Sequence, residues 1–336
     1  MAKTSEIPDA LNEEYYQISA DILGSFNKYR PPINIYRFVE NVARVAPFYR
    51  KGGRLTNEQI EELAQMVNDG LVFVSREDHP VYVKHISYQL DLVLVDKNLK
   101  EREIADIFTQ ALTRRIGEFM EQPVKIVFDK LYSDLMVLTE YIFQDIHRIR
   151  ALFRRLHTEH SLENHSFNSG VVGLNLFGSI KARDFEEGGV KRKMFDNLTL
   201  GLFLHDMGMT KVAKFLRDKT QALTQEERQK VTMHPKSGLD MLNKLEIKFP
   251  ETLACVMEHH ERLNRTGYPQ KKGAEELSFE GKLCAVVDSF SAMITKRPYA
   301  EAMDQMKASA TLTKDPTYDK KIADALQVML VQLMKL

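Results

Sequence analysis

Residues 198–209 read LTLGLFLHDMGM: an apolar stretch (Leu198, Leu200, Leu202, Phe203, Leu204) that runs straight into His205 and Asp206. A carboxylate set in such a run loses hydration at high cost unless a cation or good hydrogen bonds offset the loss. Asp288 meets the same difficulty after Leu283, Cys284, Ala285, Val286 and Val287. Histidines keep company with these carboxylates along the chain: His165 in ENHSFNSG, His234 in TMHPKSG, and the pair His259-His260 in VMEHHERLNRTGYP. Each falls within or at the edge of a predicted helix, 25 to 40 residues from the next. Ligands that line the core of a helical bundle are spaced this way. Imidazole with carboxylate suits manganese, iron, nickel or zinc, whereas an all-oxygen set would suit magnesium or calcium. The competing reading is that these are buried polar groups holding helices in register. His79, His85, His147, His157 and His160 stand alone or on polar faces and read as surface or satisfied core imidazoles.

Outward from this stretch, the chain is helical from about residue 101. Ile104, Ile107, Phe108, Leu112, Ile116 and Phe119 keep three- and four-residue spacing, as do Phe128, Leu131, Leu135, Leu138, Ile142, Ile146, Ile149, Leu152 and Leu156. Both series are stripes that bury one helix face, and Pro123 breaks the chain between them. The first third differs. Phe38, Val42 and Val45 have helical spacing, although Ile35 and Tyr36 could equally open a strand. Thr56 or Asn57 can cap a helix that stops near Asp69-Gly70, LVFV at 71–74 is a β-type run, and SREDHP closes it as a turn. The expected architecture is therefore α+β: a small mixed α/β domain with a connector helix over 1–122, then an all-α bundle over 123–336.

A length of 336 residues predicts roughly two domains. Apolar residues at 43% with 28% charged residues exclude a mostly disordered chain. Lysine plus arginine (47) equals aspartate plus glutamate (47), so no basic excess points to DNA, RNA or an anionic membrane. Two cysteines give no disulfide framework, the polar start is no signal peptide, and no apolar run approaches a membrane span. A cytoplasmic location is the expectation.

The order His…His-Asp…His…His-His…Asp resembles the HD metal-hydrolase superfamily, and HHERLNRTGYP followed by VVDSFSAM and RPY at 297–299 resembles its HD-GYP family. The resemblance covers about 123–336; INIY, the Lys51-Gly52-Gly53 turn and LVFVSRED resemble the small domain that precedes some members. The resemblance implies a bacterial phosphodiesterase that opens cyclic di-GMP to pGpG or GMP. It implies two divalent metals, iron first, with manganese, nickel or zinc as alternatives. One is held by His165, His205, Asp206 and Asp288, the other by His234, His259 and His260, with Asp206 shared. The metals activate a bridging hydroxide, so Asp206 is catalytic, while Gly267, Tyr268 and Arg297 meet the substrate and Tyr268 assists at the phosphate. A diguanylate cyclase docking on the GYP loop is an implied partner, and the stripe at 104–119 could pair in a homodimer or pack within one chain.

Departures from the family pattern are as informative. HDIGK reads HDMGM, so Met209 replaces a phosphate-contacting lysine, and Lys211 and Lys214 lie two and five positions on, where a helix would point them elsewhere. DGTGYP reads NRTGYP, with Asn264 and Arg265. Ser291 replaces an aspartate, Ala300 replaces a lysine, and Ser161 replaces the glutamate that holds a third metal in some members. Removing one donor that stabilises transition-state charge costs about 10²–10³ in rate, against a total enhancement of about 10⁶ or more. Three functions compete: a slow two-metal phosphodiesterase, a degenerate metal-holding module that signals by contact, and a hydrolase of another nucleotide.

Overall fold

The structure, a computed structural model, describes residues 14–39, 42, 44–86, 89–94, 99–297 and 300–334. It is α+β. The chain divides into two compact units, one ending at Phe108 and the other beginning at Thr109. That division falls inside the helix Glu101–Glu121, whereas the sequence reading places a boundary near residue 122, at the end of the same helix.

In the first unit, β1 (Tyr15–Gln17), β2 (Ile35–Val39), β3 (Arg44–Tyr49) and β4 (Val72–Ser75) form an antiparallel sheet in the order β1-β4-β2-β3. Ile35 and Tyr36 thus open a strand. Ile35 and Phe38 are buried and Ile35 sits opposite both Tyr49 and Val74, so cross-strand packing wins over the helical spacing of Phe38 and Val45. Helix α1 (Asn57–Asn68) starts on Thr56, whose hydroxyl accepts from the Gln59 amide while the Gln59 side chain returns to the Thr56 amide. It stops before Gly70, which has φ +73°. SREDHP is not a simple turn: a tight turn at Arg76–Asp78 leads into the helix His79–Ile86, with Pro80 in the first turn, where its missing N–H costs nothing.

The longer helices that follow are α2 (Glu101–Glu121), α3 (Lys125–Gln144), α4 (Leu162–Ile180), α5 (Arg192–Leu204), α6 (His234–Lys244), α7 (Pro250–Glu258), α8 (Phe279–Met293), α9 (Gln305–Lys314) and α10 (Lys320–Met334). The apolar stripe from Phe128 is not one helix. α3 ends at Gln144, Asp145 accepts from the His147 amide across a tighter turn, and Ile149–Phe153 resumes with Leu152 buried. α4 is buried on all sides from His165 to Gly178, as befits a central helix. It packs on α5 and α8, and both of those pack on α7, closing a ring of four helices. The ends of that ring carry the polar residues picked out by the sequence.

Candidate metal centre

The seven predicted ligands enter from five segments. His165 is one turn into α4, and Asp288 sits within α8. His205 and Asp206 follow the last residue of α5, His259 and His260 follow the last residue of α7, and His234 opens α6. Helix ends suit this task because the last turn of a helix leaves carbonyls without intrahelical partners. Three imidazoles use them: His205 Nδ1 meets Leu202 O at 2.9 Å, His234 Nδ1 meets Val231 O at 2.8 Å, and His259 Nδ1 meets Cys255 O at 2.9 Å. A carbonyl only accepts, so each Nδ1 carries the proton and each Nε2 presents a lone pair inward.

Those lone pairs converge. Two sets, Asp206-His234-His259-His260 and His165-His205-Asp206-Asp288, each place their ligand atoms within 4.8 Å of one another. Asp206 belongs to both: Oδ1 lies 3.1 Å from His234 Nε2 and 3.5 Å from His259 Nε2, while Oδ2 lies 3.5 Å from His165 Nε2. Asp288 Oδ1 is 3.0 Å from His165 Nε2 and 3.7 Å from His205 Nε2, and Oδ2 is 3.6 Å from His260 Nδ1. Burial alone would raise both carboxyls, but the imidazoles around them (His234 and His259 for Asp206, His165 and His205 for Asp288) hold both well below the usual carboxylate range. Burial also depresses His259 and His260, leaving both neutral, whereas Asp288 and Asp206 raise His205 against its burial.

The donors fit a divalent cation on the structure's own terms. His234 Nε2 and His259 Nε2 face each other at 2.9 Å, lone pair against lone pair, which is unfavourable unless a cation sits beside both. His205 Nε2 is fully buried with no hydrogen bond. Ionised Asp206 and Asp288 beside neutral His259 and His260 suit such a cation.

Four of the seven, Asp206, His234, His260 and Asp288, form the floor of a cavity of about 1190 Å³. Tyr268 lines it, its ring 4.7 Å from that of His260 and tilted by 30°, and burial raises its phenol further above the usual range. Gly267 lets the loop lie this close, since a Cβ there would come 2.5 Å from both His260 O and Glu261 Cα. The buried Glu261 anchors the loop by accepting from the Gln270 amide at 2.6 Å and the Lys272 amide at 3.0 Å. Arg265 stands where the family pattern has glycine and holds φ +67°, paired with Glu276 on the surface. Asn264 keeps the turn by accepting from Thr266 N and Oγ1.

Arg297 also lines the cavity, while Pro298 and Tyr299 lie outside the described residues. Ser161 caps α4, accepting from the Asn164 amide, and so acts as a helix start. Met209 faces the cavity. The chain beyond it is not one helix: a tight turn at Met207–Lys211 gives way to extended Val212 and a four-residue helical turn, Lys214–Arg217. In consequence Lys214 lines the cavity and Lys211 does not. Sequence reasoning also missed His160, Arg217 and Arg262, which line it too. His160 read as a bland imidazole, yet its ring lies 6.1 Å from that of His165, and burial, with the nearby Arg297, His165 and Arg217, pushes it down to about 4. Only its placement five residues before His165 hints at this.

Comparison with known proteins agrees with the motif order. The HD domain family matches residues 188–322. Over 236 residues the chain is 30% identical to the cyclic di-GMP phosphodiesterase response regulator RpfG of Xanthomonas campestris pv. campestris, covering 68% of this chain and 59% of that protein. It is 27% identical over 189 residues to a cyclic di-GMP phosphodiesterase of Thermotoga maritima, covering 56% of this chain and 45% of the relative. The chain therefore spans between 45% and 59% of the length of these curated relatives. Its fold resembles that of Bd1817, an HDG"Y"P protein from Bdellovibrio bacteriovorus, with a TM-score of 0.61 at 16% identity over 95% of this chain and all (100%) of that one. Among the described residues no helix is long and apolar enough to cross a membrane. Residues 188–322 are thus an HD domain, and the order of the chain's polar residues is similar to that of HD-GYP proteins.

Proposed function

We propose that residues 123–336 act as a two-metal phosphodiesterase that opens cyclic di-GMP to pGpG or GMP, with residues 1–122 as a regulatory or docking domain. The observation that carries this reading is Asp206, whose two oxygens face different histidine groups, Oδ1 toward His234 and His259 and Oδ2 toward His165. A carboxylate so placed is common to two ligand sets. His165, His205, Asp206 and Asp288 would hold one cation; His234, His259 and His260 would hold the other with Asp206. Iron is the first expectation, and manganese, nickel or zinc suit the same donors. When bound, such cations supply Lewis acidity toward a phosphate and toward water.

This chain's own residues then do the rest. Last-turn carbonyls fix the tautomers of His205, His234 and His259, so nothing rotates when ligands arrive. Tyr268, held over His260 by Gly267 and the Glu261 anchor, keeps its proton and can donate it to a phosphate oxygen or stack on a base. Arg297 adds positive charge along the cavity wall. The cavity has room for a dinucleotide, and the named substrate of the relatives is cyclic di-GMP.

One observation favours a second reading. Met209 faces the cavity where the family pattern has a lysine, which fits a module that keeps its metals and signals through contact, for instance with a diguanylate cyclase at the GYP loop. The two are separated by assaying cyclic di-GMP hydrolysis on anaerobically purified protein whose metal content is measured on the same sample. The enzyme reading expects product that Asp206→Ala abolishes. Two metals per chain and no product under iron or manganese would leave the contact module.

A further inference from the structure

Arg217 ends the short helical turn Lys214–Arg217 and lines the same cavity as Asp206, Asp288 and His260. Its Nε is buried without a hydrogen-bond partner. Among the described residues no carboxylate reaches ion-pair distance of its guanidinium, which is only half-buried. A guanidinium partly withdrawn from water with no anion beside it is a poor arrangement unless an anion arrives. Two neighbouring cations are committed elsewhere. Lys219 lines the cavity but holds both oxygens of Glu227, at 2.8 and 2.6 Å. Arg262 donates to the main-chain oxygens of His259 and Glu261 and to Tyr318 Oη, and stacks on the Tyr318 ring at 4.4 Å. Lys214 lines the cavity as an exposed point charge on a flexible stem.

We propose that Arg217 is a phosphate anchor of this site, its fork of N–H groups gripping the non-bridging oxygens of a phosphodiester that lies over the carboxylate floor. Planar guanidinium matches phosphate in a bidentate way that an ammonium does not. Arg217 thereby supplies, from the opposite end of the Met207–Arg217 segment, the cation that Met209 does not. The identity of the ligand rests on the phosphodiesterase reading; the existence of an anion site does not.

Two probes keep these apart. Inorganic phosphate, which cannot be hydrolysed, is titrated calorimetrically into manganese-supplied full-length protein. Cyclic di-GMP is followed by KM, or by Kd where no product forms. Arg217→Gln is expected to weaken both about 10- to 100-fold, the loss typical of a charge-assisted hydrogen bond. Arg217→Lys, which keeps charge and fold but not the fork, is expected to recover part of that loss. Lys211→Ala removes the same charge from an exposed position outside the cavity and is expected to bind as wild type. Wild-type affinity for both probes in Arg217→Gln overturns the anchor, as does equal weakening by Lys211→Ala or a wild type that binds neither probe. Arg217-dependent binding of phosphate without any binding of cyclic di-GMP keeps the anchor and removes the substrate reading. Unchanged Arg217→Gln affinity in a protein that turns cyclic di-GMP over does the reverse.

Discussion

His234 Nε2 and His259 Nε2 stand 2.9 Å apart, and neither can turn away, because each ring donates its Nδ1–H to a last-turn carbonyl, Val231 O and Cys255 O. Two fixed lone pairs so close store unfavourable energy that a cation removes. A ligand that binds only the folded chain stabilises it by about 2.7 kcal/mol at one hundred times its Kd. Manganese or ferrous iron is therefore expected to raise the melting temperature and a chelator to lower it. A scan unmoved by either, with less than one metal per chain by elemental analysis, would sink the centre.

Gly208 is where the Asp206 turn touches α6. A Cβ at this position would lie 1.9 Å from His234 O and 2.6 Å from Gly238 N, both of them backbone atoms that a side chain cannot push aside cheaply. Gly208→Ala is expected to cost about 2–4 kcal/mol of stability, toward the upper end of overpacking effects. It should also lower metal content, because Asp206 and His234 move together. Denaturant unfolding and metal analysis on one sample check this, and full metal content with native stability would refute it.

The convergence of the His/Asp cluster is the legible part of the sequence because such chemistry restricts residue type: an aspartate after five apolar neighbours, or paired histidines before a Gly-Tyr-Pro turn, has few bland uses. The wall of the cavity was not legible. Arg217 belongs to no motif, and the break at Val212 is what turns its segment back to the site. His160 had no neighbouring motif, and Arg262 meets Tyr318 across 56 residues, a pairing that no local pattern carries. At residues 35–45 the spacing served helix and strand equally, and the sheet partners Tyr49 and Val74 decided it.

Met209 faces the cavity, so a lysine in its place reaches toward whatever phosphate lies on the floor. Losing one such donor commonly costs about 10²–10³ in rate. Met209→Lys is expected to raise kcat on cyclic di-GMP by about tenfold or more with metal content unchanged. An equal or lower kcat at full metal occupancy would show that the methionine is no handicap.

Glu261 is buried and accepts from the amides of Gln270 and Lys272, which fixes the loop carrying Tyr268. Glu261→Ala removes the acceptor of both amides, which are part-buried, at about 1 kcal/mol each. Glu261→Gln keeps the volume but turns an N–H toward one of them. Both are expected to destabilise the chain, alanine more, and to raise KM for cyclic di-GMP as Tyr268 loosens over His260. Native melting temperature and KM in the alanine variant would contradict the anchor.

His160 gives the pH prediction. Its imidazole is held down at about 4 by burial and then by Arg297 and His165, against about 6.5 when unfolded, so between those values the unfolded chain binds the extra proton. Stability is greatest above pH 6.5 and falls as the pH drops toward 4. The ring is partly open to solvent, which reduces the contribution to roughly 1–2 kcal/mol. His160→Gln removes the titrating group and is expected to flatten this part of the profile. The check is the difference between wild type and variant in unfolding free energy at pH 7 and pH 4.5, taken on metal-free protein so that ligand protonation is common to both. A difference that stays constant across the two pH values, or that grows in the variant, would show that His160 is protonated in the folded chain.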